Sequence, residues 1–577
     1  MVAVPGPMVY LKSANKPIGR PLSMTDSLAI ALAQINPVVG DIEGNLARLR
    51  AARAQAAAQG ADLLVASELV VSGYPPEDLV LKPAFRARCV AAVKALAADT
   101  ADGGPAMLVG TPWPDEAKVR NAVALLDGGT ITALRYKVDL PNYGVFDEKR
   151  VFQAAAPQGP ISFRGVRLGA MICEDMWTPE VAECLHESGA EILIVVNGSP
   201  YECAKHDQRL AVAVARIVES GLPLVYVNQV GGQDELVFDG ASFVLDAERG
   251  LKAQLPAFAE AVALTRWQRG PAGWGCLAGP VAALPEGVEA IYRALVRGLS
   301  DYIAKNDFPG VVIGLSGGVD SALSAAVAVD ALGPDRVRAL MMPSRYTSRE
   351  SIEDAAECAR LLGIRLDTIS IEPAIAAFAD MLGSIFAGRA SDTTEENIQA
   401  RARGVTLMAF SNKVGHMVLS TGNKSEMSVG YATLYGDMCG GFSVLKDVYK
   451  MTVYELARWR NAQQPPGAKG PAGRVMPERV LTKAPTAELR PNQTDQDNLP
   501  PYAVLDDILQ CLIEGDMAAD EIVVRGHDRA TVNRVWRLMD VAEYKRRQAP
   551  PGVKITARAF GRDRRYPITN AFRRLLD

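Results

Sequence analysis

Val311-Val312-Ile313-Gly314-Leu315-Ser316-Gly317-Gly318-Val319-Asp320-Ser321 reads as a buried strand, Val311–Leu315, that hands over through two adjacent glycines to a helix beginning at Ala322. The adjacent glycines let backbone N–H groups turn inward toward an anion. The helix N-terminus adds the positive end of its dipole, and Ser316 and Ser321 add hydroxyl donors. Asp320 would repel a phosphate unless a cation lay between them, so a Mg²⁺ held by oxygen is expected there. The GxxxxGK[ST] spacing of a Walker loop is absent. A Gly-Gly turn capped by Ser or Asp is the ordinary alternative, and the complete SGGVDS string behind an apolar strand favours the phosphate loop.

Outward from this loop, strands and helices alternate: strand Val337–Met342, helix Ser348–Leu362, strand Leu366–Ile371, a long helix through Asn397–Asn412, and strand Met417–Leu419. That order predicts a parallel sheet. Gln463–Val475 is rich in Pro and Gly and is expected to be a mobile surface loop. Toward the N-terminus, the GPAGWGCLAGP string starting at Gly270, with Pro285 after it, predicts a linker over residues 271–286. Before it come short apolar runs that read as strands: Leu28–Ala33, Leu63–Ala66, Met107–Gly110, Val166–Ile172, Ile192–Val196 and Leu224–Val227. Asn121–Val138 reads as a hairpin around Asp127-Gly128-Gly129. One α/β domain is therefore expected over residues 26–270 and a second over 287–577. Residues 1–25, with four prolines and no long apolar core, are expected to be a disordered extension.

Composition narrows the function. Of 577 residues, 49% are hydrophobic and 22% charged, which is ordinary for a globular chain. A net charge of −4 and a pI near 5.8 lack the basic excess of a nucleic-acid binder. The eight cysteines contain no CxxC and no zinc spacing with the four histidines, so reduced thiols and a cytoplasmic setting are expected. No apolar run approaches the roughly 18 residues that suggest a membrane span.

SGGVDS resembles the loop of ATP pyrophosphatases, which cleave ATP between the α and β phosphates to adenylate a substrate. Several ligases share that loop. Three further strings, Ser420-Thr421-Gly422-Asn423-Lys424-Ser425-Glu426, Tyr435-Gly436-Asp437 and Asn397-Ile398-Gln399-Ala400-Arg401-Ala402-Arg403, are similar to the NAD synthetase family. The resemblance implies a Rossmann-like parallel-sheet ATP pyrophosphatase domain that uses ATP and Mg²⁺. It puts ATP at Gly314, Leu315, Ser316, Gly317, Gly318, Val319, Asp320 and Ser321, with Thr421 on ATP and Lys446 near the phosphates. It puts Asn397, Glu426 and Lys545 on deamido-NAD, and Asp320, Glu426 and Thr486 at the metal. From Lys545 to Asp577 ten Lys or Arg stand against two Asp. They could serve a pyrophosphate ligand, though for most of them a solvated basic tail is the plainer reading.

In the first half, Glu68 closes one strand, Lys137 a second and Cys173 a third. A thiolate is a nucleophile, a carboxylate can take its proton, and a lysine can stabilise an oxyanion. Singly each has an ordinary explanation: Cys as a small buried apolar residue, Glu and Lys as solvated charges. In this order, with Gly73-Tyr74-Pro75, Phe146-Asp147-Glu148-Lys149-Arg150 and Cys173-Glu174-Asp175 around them, they resemble the nitrilase superfamily. The resemblance implies an αββα sandwich with Glu68, Lys137 and Cys173 as its catalytic triad. It also implies a glutamine pocket of Tyr143, Ser199 and Lys205, with Glu148 as a second carboxylate positioning the lysine.

Together the halves imply glutamine hydrolysis feeding ammonia, through a sheltered channel, to an ATP-dependent amidation of deamido-NAD, in a homo-oligomer that binds neither nucleic acid nor membrane. A GMP or asparagine synthetase would share the loop but not a nitrilase-type glutaminase. A nitrilase fused to an inactive nucleotide sensor would not need Asp320, Ser321 and Glu426, and a scaffold would leave both constellations unexplained.

Overall fold

The computed structural model describes residues 26–115 and 118–570; the extension expected over 1–25 lies outside the described residues. Ser27–Gln34 shows how the first domain is built. Leu28, Ile30 and Leu32 point to one face and Ala31 and Ala33 to the other, and every one of these is buried. The large residues meet a second sheet, while the alanines let helices Ile42–Ala58 and Pro83–Asp99 lie close. Ile192–Asn197 repeats the arrangement in the second sheet, with Ile192, Ile194 and Val196 facing inward. Leu193 and Val195 lie in the layer of helices Pro179–Glu187 and Lys205–Ser220. A seven-stranded and a six-stranded sheet thus pack face to face between helices, forming an αββα sandwich.

The seven-stranded sheet extends into the stretch expected as linker. Ala261–Gly270 turns at Gly273 (φ +112°) into the edge strand Gly273–Cys276, whose Trp274 and Cys276 are buried in the inter-sheet core. The glycines there make a tight hairpin, and the chain stays bonded to the sandwich as far as Ala282, whose N–H donates to the Gln254 carbonyl.

The second domain is a five-stranded sheet in the order Arg365–Thr368, Val337–Met341, Val311–Gly314, Met417–Ser420, Phe442–Ser443, every pair parallel. From the central Val311–Gly314 the chain first winds to one side and later returns to the other. The gap beyond Gly314 and Ser420 is therefore the topological switch point, where open α/β sheets bind ligands. The helix after the loop spans Val319–Leu332 and not, as expected, a run starting at Ala322. Ser321 Oγ accepts from Ser316 N–H at 3.2 Å and donates to the Gly318 carbonyl at 3.0 Å, which draws Asp320 and Ser321 into the first helical turn.

The Gln463–Val475 loop has no regular structure, but it is tied down. Arg460, fully buried, pairs with Asp330 (2.6 Å) and donates to the carbonyls of Pro471 and Gly473, and Tyr292 Oη donates to the same Asp330 carboxylate at 2.6 Å. A helical lobe, Tyr502–Ile513, Ala519–Val524 and Arg529–Val541, has its own core. Beyond it the tail returns to the sandwich, where Lys554 N–H donates to the Glu235 carbonyl and Cys203 N–H to that of Ile555. Tyr201 and Phe258 of the sandwich share one apolar core with Leu295, Val553 and the second sheet. Among the described residues no helix is long and apolar enough to cross a membrane.

Candidate active sites

Three strand ends of the sandwich converge on one buried charge cluster. Lys137 Nζ lies 2.7 Å from Glu68 Oε1 and 2.9 Å from both Glu148 oxygens, and Lys137 and Glu68 are fully buried. Glu68 is fixed further by Asn121 Nδ2 at 2.7 Å and by Gly198 N–H at 2.9 Å, and Glu148 by Tyr74 Oη at 2.9 Å. Burial alone would push the Lys137 ammonium down, but Glu148 and Glu68 hold it well above its ordinary value. Burial raises Glu148 to about 7, against the pull of Lys137. Cys173 begins the short turn after Val166–Ile172 at φ +49°. Burial, with Glu68 adding to it and Lys137 opposing, pushes its thiol well above the usual range, so the resting group is a thiol that needs a base.

One carboxylate joins the cysteine and lysine loops. Asp175 accepts from the N–H groups of Val138, Asp139 and Ile172 at 2.8–2.9 Å. Tyr143 is half-exposed and donates to Glu174 at 3.0 Å. Lys205 starts a helix with its ammonium 4.7 Å from the centre of the Trp177 ring and 3.9 Å from Glu202. Ser199 accepts from Arg209 Nε at 3.0 Å, and Arg209 is clamped by Asp239 at 2.8 Å.

In the second domain a cavity of about 310 Å³ opens at the switch point and is lined by all of Gly314–Ser321 together with Thr421, Glu426, Lys446 and Thr486. Asp320 Oδ2 and Glu426 Oε1 converge on Lys450 Nζ, at 2.5 and 2.9 Å. Burial raises Glu426 to about 7 despite Lys450. Lys446 lines the cavity, but its ammonium is paired with Glu235 of the sandwich at 2.9 Å. Thr486 Oγ1 donates to the Gln493 carbonyl at 2.6 Å and so is engaged within its own loop. Asn397 and Lys545 stand behind the lining and meet at one segment: Thr433 Oγ1 donates to Asn397, and Lys545 Nζ donates to the Gly430 and Ala432 carbonyls. Among the tail's described cations, Arg546, Arg564 and Lys554 are buried and paired with Glu543 and Glu202, whereas Arg547, Arg562 and Arg565 are exposed, so a solvated tail describes part of it.

The sequence assigns Asn121 and Asp175 no role in the site and does not single out Lys450. Each is one polar residue among many, and only the fold brings it to the site. Lys450 had one clue, four positions after Lys446 at a helix start. Among the described residues no group of three or more His, Cys, Asp or Glu is placed to hold a metal.

The two domains thus carry the parts of an amidotransferase, one arranged to open an amide and the other to activate an acid with a nucleotide. The carbon–nitrogen hydrolase family matches residues 29–272, and the NAD synthase family matches residues 291–549. Over 550 residues the chain is 51% identical to the glutamine-dependent NAD(+) synthetase of Rhodobacter capsulatus, covering 95% of this chain and 100% of that one. It is 43% identical to the one from Thermotoga maritima over 578 residues, covering 95% and 99%. The solved glutamine-dependent NAD+ synthetase from Acinetobacter baumannii in complex with adenosine diphosphate superposes with a TM-score of 0.75 at 43% identity, covering 94% of this chain and 98% of that one. The chain belongs to the glutamine-dependent NAD(+) synthetase family.

Proposed function

We propose that the chain hydrolyses glutamine in the sandwich and uses the ammonia to amidate deamido-NAD, activated by ATP as an adenylate, giving NAD(+), AMP and pyrophosphate. The observation that carries this is the convergence of Asp320 and Glu426 at the SGGVDS cavity, in a chain whose other half buries Glu68, Lys137 and Cys173 together.

At the first site the Cys173 sulfur attacks the glutamine carboxamide carbon while Glu68 takes the thiol proton. Lys137, fixed by two carboxylates, faces the oxyanion as it forms. Glu68 passes the proton to departing ammonia, takes one from the water that attacks the thioester, and returns it to the Cys173 sulfur as glutamate leaves. Tyr143, Ser199 and Lys205 hold the substrate's polar ends, and Glu148 holds Lys137.

At the second site Gly314–Ser321 cradles the ATP phosphates and Thr421 contacts the nucleotide. Asn397, Glu426 and Lys545 hold deamido-NAD, whose carboxylate oxygen attacks the α-phosphorus as the bond to the β-phosphate breaks. Ammonia, reaching it by a sheltered passage, then displaces AMP. Lys450 lies at the loop paired with Asp320, whereas Lys446 is turned to Glu235 of the sandwich. Mg²⁺ fits Asp320 and Glu426, because both carboxylates already reach one cationic point and are hard oxygen donors. It would neutralise phosphate charge, with the phosphates completing its ligands. The homo-oligomer belongs to the same reading. Eight free thiols support a reducing cytoplasm.

Purified protein supplied with ATP, Mg²⁺, deamido-NAD and either glutamine or ammonium tests the reading by chromatography of the products. Cys173→Ala should lose glutamine-driven NAD formation and keep the ammonium-driven reaction. Asp320→Asn should lose both and keep glutamine hydrolysis. ADP as the main nucleotide product would overturn the adenylate mechanism.

A further inference from the structure

Lys483 lies on the cavity wall just after the short helix Glu478–Thr482. Its Nζ donates to Ser351 Oγ at 2.6 Å and sits 3.2 Å from Glu488 Oε1. That same Glu488 oxygen also accepts from Ser348 Oγ at 2.7 Å and Ser351 Oγ at 2.8 Å, so three donors share it. Ser351 in turn touches the phosphate loop: a Cβ on Gly317 would fall 2.3 Å from the Ser351 carbonyl oxygen. Lys483 is therefore one residue, Ser351, away from Gly317 of SGGVDS.

The loop itself contains no lysine. Of the lysines that line the cavity, Lys450 is held between Asp320 and Glu426, and Lys446 is held by Glu235. Lys483 is the one whose carboxylate partner is already satisfied by two serine hydroxyls. Glu488 stands at φ +49°, a backbone conformation that side chains other than glycine rarely adopt, and the serines keep its carboxylate turned toward the lysine.

We propose that Lys483 is a further phosphate ligand of the adenylation step and that Glu488 is its positioning residue. This rests on the adenylating reading of the cavity. As the α-phosphorus bonds to the substrate carboxylate, the bond to the β-phosphate oxygen breaks and its electron pair leaves with pyrophosphate. The Lys483 ammonium donates to that oxygen as its charge grows. The interaction strengthens as the reaction proceeds, which is the condition for raising a rate.

The test uses the full chain, with ammonium as the nitrogen donor and glutamine hydrolysis as a check that the protein is folded. Lys483→Met should lower AMP formation by roughly 100-fold and weaken calorimetric binding of inorganic pyrophosphate with Mg²⁺ by about 10-fold or more, with glutamine hydrolysis unchanged. Lys483→Arg should restore part of both. Glu488→Gln should raise KM for ATP several-fold while kcat moves less. Pyrophosphate binding as tight in Lys483→Met as in the parent protein, with the parent releasing AMP, would overturn the ligand role. Wild-type kinetics in Glu488→Gln would overturn the positioning role. A parent that releases ADP would instead remove the adenylating reading, and this proposal with it.

Discussion

Cys173 occupies the left-handed region at φ +49°, which costs a non-glycine residue on the order of 1–2 kcal/mol. Asp175 maintains it: its carboxylate collects N–H groups from the cysteine strand and the lysine loop, so nucleophile and cation keep a common frame. The raised thiol has a measurable consequence. Because its titration lies above the ordinary range, the thiolate fraction at neutral pH is small and grows with each pH unit. Alkylation of Cys173 by iodoacetamide, followed by mass spectrometry of its peptide, should be slower at pH 8 than alkylation of a free cysteine. It should climb about tenfold per unit through pH 9 with no plateau. A plateau below pH 8 would mean that Lys137 outweighs burial and Glu68.

Three elements hang on one ion pair: the helices Gly287–Lys305, Val319–Leu332 and Lys450–Ala462 meet where Tyr292, Asp330 and Arg460 bond. Asp330 belongs to the helix that presents Asp320 at its other end, so the brace also steadies the phosphate loop. Arg460→Met would strand a buried carboxylate and should destabilise the protein by about 3–5 kcal/mol, measurable as a lower urea midpoint. A change under 1 kcal/mol would show that Tyr292 alone satisfies Asp330. Elements like these were legible where pattern and burial agree. Leu63–Ala66 and Val166–Ile172 fall where the apolar runs place them, because the first is buried throughout and only Arg167 of the second is exposed. Gly273–Cys276 was hidden, since only Trp274 and Cys276 of its four residues face the core and glycine signals a turn first. In the first site, Glu68, Lys137 and Glu148 could be read from the strings around them, and the structure brings them together. Lys450 could not, because its one clue, a place four residues after Lys446 at a helix start, does not say what the side chain will face.

At the scale of the molecule, the two domains share part of a core, although the sandwich also keeps its own between the sheets. Tyr201, Val237, Ala257 and Phe258 of the sandwich are buried in the same cluster as Leu295 and Val553 of the second half. A fragment of residues 26–286 would expose them as one apolar patch. Expressed alone it should associate in light scattering, whereas the full chain should melt in a single calorimetric transition. A monodisperse fragment melting at the temperature of the parent would show that the shared core is dispensable.

The bracing of Gln463–Val475 also bears on how the protein can be handled. One guanidinium gathers both feet of the loop, while Gly467 near its tip is exposed with nothing within 4 Å of where a Cβ would stand. Since closing a longer loop costs only about 0.6 kcal/mol per doubling of length, an affinity tag or fluorophore-bearing peptide inserted at Gly467 should leave both activities intact. A tag that abolished either one would show that the tip, not only the feet, is needed.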